Sequence, residues 1–360
     1  MTQPVTSSLI TTPAEVEQAR LRTAPQAAWR RSIVVAIVLA LLVAYPFVLP
    51  TAFWLNVGIL SLIFGMAGQG WNILGGYTGQ ISFGNAVFFG AGAYTTAVLV
   101  RVGWLPWPGM VLGVLVGAAL AVIVGFPCFR LRSHYFAIAT IAVGEIADVV
   151  VSNTTSLGGS SGLQVPLRSN GLATLQFSVR DPTPYYFVAL ALLALVMVAA
   201  WLFVRGRAGA YARAVRDDEM AAAAVGIPIR RYKLYAAALS GALTALAGGF
   251  YVMYSLYVNP SLVLDLSVSI DIVLIAVLGG AGTLWGPLLG AWLLTLLQEN
   301  VREQFGGTGS GVELLVFGLL IVVISIVEPG GLMALGARLR RLLRRSFRHR
   351  LTSVFELVRR

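Results

Sequence analysis

Pro184-Tyr-Tyr-Phe-Val-Ala-Leu-Ala-Leu-Leu-Ala-Leu-Val-Met-Val-Ala-Ala-Trp-Leu-Phe-Val204 carries no charged residue from end to end. A run of roughly 20 apolar residues is what a helix needs to cross a bilayer core, where every backbone polar group has to be bonded within its own segment. Strands would alternate apolar and polar residues, and this stretch does not. Similar runs lie at about 33–50, 54–74, 84–100, 108–127, 134–151, 234–255, 266–279, 284–298 and 312–328. The chain is 58% hydrophobic and 11% charged, with a mean hydropathy of +0.82. The expected fold is all-α, a polytopic transmembrane bundle of about ten spans. The eighth and ninth runs are short enough for half-helices or re-entrant elements.

Basic residues orient such a bundle, because connections on the cytoplasmic side retain Lys and Arg. Alternate connections hold Arg20, Arg22, Arg30 and Arg31, then Arg130 and Arg132, then seven residues from Arg205 to Lys233, then nine from Arg338 onward. Only Arg101, Arg168, Arg180 and Arg302 fall on the other side. Both termini are expected in the cytoplasm, with a tail at 1–32, a membrane domain at 33–330 and a basic tail at 331–360. No cleavable signal segment is read before Ile33, so the first run is expected to stay as an anchor. The C-terminal tail suits either a helix on anionic lipid or a solvated basic segment. The net charge of +11 is accounted for by orientation, without nucleic acid.

Single residue types exclude other chemistry. Cys128 is the only cysteine, and His134 and His349 are the only histidines, so redox and His-rich metal sites are not expected. No nucleophile with a base is visible, and no catalytic residue is assigned. Lys233 is the only lysine and precedes Leu234, which rules out a Gly-Lys-Ser/Thr phosphate loop.

Two connections are long, at about 152–183 and 205–233. Within the second, Gly206 to Pro228 reads as one short charged helix: alanines at 221–224 favour it, Gly226 caps it and Pro228 ends it. Tyr211, Val215, Ala222 and Val225 are expected on one face. Such a helix suits docking to a partner or a solvated loop. Glycines interrupt the runs at Gly75, Gly76, Gly79 and Gly84, and again at Gly279, Gly280, Gly282 and Gly286. Paired interruptions suit either a transporter built from two repeated halves with broken helices or simple turns. Gly90 and Gly92 would let helices approach closely. Ionisable residues inside spans are candidates for function, here Glu145, Asp148 and Asp271, with an interfacial position preferred for Asp148. An ion-coupled carrier using these carboxyls is a competing reading.

Four ordered motifs carry a resemblance. They are Gly76-Tyr-Thr-Gly-Gln-Ile-Ser-Phe-Gly84 with Phe89-Gly-Ala-Gly-Ala-Tyr-Thr95, His134-Tyr-Phe-Ala-Ile-Ala-Thr140, Gly206-Arg-Ala208 with Ala214-Val-Arg-Asp-Asp-Glu219 and Ala224-Val-Gly-Ile227, and Val277-Leu-Gly-Gly-Ala-Gly-Thr-Leu-Trp-Gly-Pro287. Together they resemble branched-chain amino acid ABC permeases of the LivM type, over about 54–330. That resemblance implies a coupling helix at about Ala212 to Val225, with Arg213, Arg216, Asp217, Asp218, Glu219, Ala223 and Gly226 meeting an ATPase subunit. The candidates for the translocation pathway are Gly79, Gln80, Ser82, Asn85, Glu145, Gly158, Gly159, Gly162 and Asp271, the two carboxyls because they lie inside spans. The family usually has His where Asn85 stands, Thr where Leu157 stands and Asn or Asp where Ser161 stands. The expected partners are ATPase subunits that bind ATP and Mg, a second homologous permease chain, a periplasmic binding protein and anionic lipid. No cofactor is expected in this chain, and its expected place is the bacterial inner membrane. The substrate implied is a branched-chain or related small amino acid, with urea or short amides as the alternative.

Overall fold

The computed structural model describes residues 36–131, 133–168, 171–177 and 181–305, together with 318, 331–334 and 338. A first unit, Met1–Pro50, contains helix α1, Ala36–Val48. The second unit, Thr51–Arg360, contains the helices α2 Ala52–Trp71, α3 Asn85–Arg101, α4 Pro106–Cys128, α5 Ser133–Ser152, α6 Thr183–Arg205, α7 Arg207–Asp217, α8 Glu219–Ala224, α9 Ile229–Ser255, α10 Pro260–Val263, α11 Leu266–Gly279 and α12 Gly286–Phe305. Among the described residues the strands are two-residue segments, β1 Leu163–Gln164 and β2 Tyr257–Val258, paired antiparallel.

The all-α bundle is what the apolar runs require. Among the described residues six stretches are long and apolar enough to cross a membrane: Ala52–Gly76, Pro106–Cys128, His134–Ser152, Thr183–Arg205, Ile229–Ser255 and Pro260–Gly279. These six are consistent with a polytopic bundle and do not confirm the expected count of about ten. The expected run at 84–100 becomes a 17-residue helix, and the last run, 312–328, lies almost wholly outside the described residues, as does most of the basic tail. The eighth run, 266–279, is the single helix α11, which Asp265 caps by accepting from Ser267 N–H at 2.7 Å and separates from α10. The ninth is longer than expected, 20 residues in α12.

Small residues set the core. α9 packs on α2, α3 and α4, and its glycines let backbones meet. A Cβ on Gly241 would stand 2.6 Å from Ala121 Cβ, and one on Gly117 would stand 2.7 Å from the Gly241 carbonyl. Gly92 packs on the Ala245 backbone in the same way, as its place in the sequence suggests. Trp71, Phe89, Phe250 and Met253 are buried around this contact. The helix that stands apart is α5: 11% of its apolar window is buried within the chain, against 78% for α9.

Candidate functional site

The charged connection after α6 forms two helices, not one. Asp218 has an extended backbone, and its Oδ1 accepts from Met220 N–H at 2.8 Å and from Ala221 N–H at 2.9 Å. An aspartate at that position is an N-cap, so the Asp217-Asp218 pair ends α7 and starts α8. Gly226 closes α8 with φ +83°. Gly226 N–H donates to Ala223 O at 2.9 Å and Ile227 N–H to Ala222 O at 3.1 Å, the paired bonds of a Schellman end. Glu219 is bonded at 2.8 Å to Lys233 Nζ, a lysine side chain only 5% exposed. Thus α8 is tied at both ends. Ala222 packs inward, while Ala223, Met220 at 84% and Val225 at 77% are exposed. Val215 and Ala222 share the buried side, as expected; Val225 does not, because the break re-aims the second half.

Behind α8, Arg216 of α7 reaches the glycine interruptions. Its guanidinium donates to the Gly76 carbonyl. A Cβ on Gly79, whose φ is +73°, would stand 3.2 Å from the Arg216 side chain, so a larger residue there would press on it. Asn72, fully buried, accepts from Gly282 N–H at 2.7 Å and donates to Thr283 O at 2.8 Å. The first and second glycine-rich interruptions therefore meet through one asparagine, with α7 fastened to the first. Burial pushes the Tyr77 phenol above its usual value, and the charges of Arg213 and Arg216 pull it back. Arg213 itself donates to Val204 O at 3.1 Å, and Asp217 is exposed.

The irregular backbone from 79 to 84 is bonded by side chains from the core. Trp71 Nε1 donates to Ser82 O at 2.7 Å, Phe83 N–H to Thr140 Oγ1 at 3.1 Å and Gly84 N–H to Ser82 Oγ at 3.2 Å. Buried non-helical backbone requires such partners. The π-type turn Asn72–Gly76 continues α2 into this segment, and Ala86 N–H, in the first turn of α3, donates to Ser269 Oγ at 2.8 Å.

The expected pathway residues fall into separate places. Gly79, Gln80, Ser82 and Asn85 lie together beside the junction, Gln80 half-buried, and both side-chain polar atoms of buried Asn85 lack a hydrogen-bond partner. Gly158, Gly159 and Gly162, all with positive φ, lie toward the far end of α9, which at 27 residues and about 1.5 Å per residue runs roughly 40 Å. There the 155–165 segment is docked: Val165 N–H donates to Leu256 O at 2.9 Å, and a Cβ on Gly162 would stand 2.7 Å from Asn259 Cβ. Glu145 is exposed on α5 and Asp271 half-buried in α11. Reading the sequence alone missed Asn72 and gave Lys233 no structural role. Their polarity amid apolar neighbours was the available signal.

Comparison with known proteins follows the same residues. The family described as "Branched-chain amino acid transport system / permease component" matches residues 53–325. The LivM high-affinity branched-chain amino acid transport system permease protein of Escherichia coli K12 is 30% identical over 326 residues, covering 84% of this chain and 75% of the relative. Its Salmonella typhimurium LT2 counterpart is 31% identical over 317 residues, with 82% and 73% covered. The fructose import permease protein FrcC of Rhizobium meliloti is 26% identical over 236 residues, with 63% and 64% covered. No solved structure matches the chain.

Proposed function

Because the chain belongs to the branched-chain amino acid transport system permease family, we propose that it is the membrane subunit of an ATP-driven importer for branched-chain amino acids, with α8 as the element that seats on its ATPase subunit. The observation carrying this reading is α8 itself. A six-residue helix gains little stability on its own, yet this one is capped at both ends, ion-paired to a buried lysine and left with Met220, Ala223 and Val225 facing outward. A rigid, small, apolar knob fits a hydrophobic groove on a partner. Arg216 and Asn72 supply the route by which displacement of the knob reaches both glycine interruptions.

The exposed face of α5 supports a second permease chain. Glu145 lies there among Ile138, Ile146 and Val149. An ionisable group facing lipid is expensive, so such residues face protein or a water-filled path. A homologous permease across α5 provides both. The LivM relatives, which are more similar over more of the chain than the fructose permease is, support an amino acid substrate. The basic connections, including the α7–α8 segment, belong on the cytoplasmic side by their charge.

The test uses Met220→Glu combined with Val225→Glu. Both side chains are exposed, so the melting temperature should hold. ATPase subunits should no longer co-purify, and ATP-driven leucine uptake should fall about tenfold or more, as loss of a central apolar anchor implies. Full co-purification with unchanged uptake would refute the docking role. Asp218 and Glu219 are poor choices for this test, because both are bonded within the chain.

A further inference from the structure

At the end of α9 away from the junction, two polar atoms are buried with nothing bonded to them. They are the hydroxyl of Tyr94 on α3 and Oδ1 of Asp148 on α5. Tyr94 as a whole is 5% exposed. Buried donors and acceptors are almost always paired, and two orphans on adjacent helices point to a third group that completes them.

Their helices are neighbours. Helix α3 packs on α5 and on β2, and Asp148 and Tyr257 are close enough to act on Tyr94 electrostatically. No hydrogen bond joins phenol to carboxyl. The hydroxyl of Tyr257 is already used, donating to Ser161 O at 2.8 Å, which holds the 158–162 glycine turns against β2. Arg168, a basic residue at this end, spends its guanidinium on the Val100, Gly103 and Trp104 carbonyls. Among the described residues the ion pairs are Lys233 with Glu219 and Arg302 with Glu299, so Asp148 has no cation. Asp148 lies on the helix least covered by its own chain, the helix whose exposed face is proposed above to meet a second permease chain.

We infer that Tyr94 and Asp148 form a subsite for the primary ammonium group of the transported amino acid. The carboxyl supplies an acceptor and the compensating charge, and the phenol oxygen supplies a second acceptor while its own O–H stays free to donate onward. Out of water, an ammonium bonded this way is held far more strongly than in solution. The inference rests on the proposed amino acid import. It adds a place where the zwitterion is recognised after leaving its carrier.

The test is made on the assembled transporter in proteoliposomes, with saturating leucine-loaded binding protein. Asp148→Asn keeps the volume and an acceptor oxygen. Its leucine uptake should fall about tenfold, and that of Tyr94→Phe about threefold to tenfold, the scale of one lost hydrogen bond to a charged group. ATP hydrolysis stimulated by the loaded binding protein should stay within about twofold, so that motor and transport are uncoupled. Asp181→Asn, which removes an exposed negative charge elsewhere, should match wild type. In equilibrium binding of labelled leucine to the detergent-purified complex, leucinamide, which keeps the ammonium, should compete, and 4-methylpentanoate, which lacks it, should not. Uptake by Asp148→Asn within about twofold of wild type would overturn the subsite. So would competition by the acid but not the amide, a sodium dependence abolished by Asp148→Asn, or a matching loss of stimulated hydrolysis that marks misfolding. A wild-type complex without ATP-driven leucine uptake would instead overturn the parent reading.

Discussion

Where the chain enters α9, Lys233 is buried against Glu219, Arg216 holds the Gly76 carbonyl and Asn72 bridges Gly282 and Thr283. Where it leaves α9, the Tyr94 hydroxyl and Asp148 Oδ1 are buried without a partner, although the backbone beside them is paired by β1 and β2. Lys233, Arg216 and Asn72 thus form a closed polar network at one end, with the two open atoms of Asn85 beside it, whereas Tyr94 and Asp148 at the other end stay open. A bonded network has two discrete states, made or broken, and suits passing on a displacement. Open polar atoms suit taking up something from outside. The contrast fits the transmitting role proposed for the first end and the recognition proposed for the second.

The contrast breaks most visibly at Asn72. Replacing it with alanine leaves a cavity at a fully buried side chain and the part-buried Gly282 N–H and Thr283 carbonyl without their partner, at up to about 1–3 kcal/mol for each orphaned group. Asn72→Ala should therefore lower stability by about 2–5 kcal/mol, read as a large drop in thermal midpoint in detergent. If the midpoint barely moves, the two glycine interruptions are not joined there. Arg216→Ala should come next, at about 1–2 kcal/mol for a partly buried bond to a carbonyl. Its sharper readout is coupling: ATP hydrolysis should persist while uptake falls, because α7 is no longer fastened to the Gly76 turn. Parallel loss of both activities would count against a transmitting role.

Asp218→Ala should cost about 1 kcal/mol, the usual value of an N-cap. Most of that loss should appear locally, as faster hydrogen exchange at Met220 and Ala221. This variant also marks how far the sequence could be read. The spans and the Gly226 cap were legible, since apolar runs and glycine carry their own local physics. The break at Asp217-Asp218 was not, because an aspartate inside an alanine-rich charged stretch looks like helix interior until its backbone is seen extended. Asn72 was illegible for another reason: its partners lie 210 and 211 residues away, and no local pattern carries that distance. Asp148 was visible as a carboxyl in a span. Its value depends on Tyr94 being equally unbonded, which only the packing of α3 on α5 reveals.

The smallest expected effect is the most discriminating one. If the Tyr94 hydroxyl were structural, Tyr94→Phe would destabilise the protein as removal of a buried hydrogen bond does, by about 1 kcal/mol. The hydroxyl has no partner, so its removal discards a desolvated polar atom and keeps the ring packed. Stability should stay within about 0.5 kcal/mol of wild type or rise slightly. Asn72→Ala and Tyr94→Phe then move in different directions on the two axes that matter: the first loses the fold, and the second keeps the fold and loses uptake. A Tyr94→Phe protein that melts earlier than wild type would mean that the hydroxyl is bonded within the fold, and the far end would be as closed as the near one.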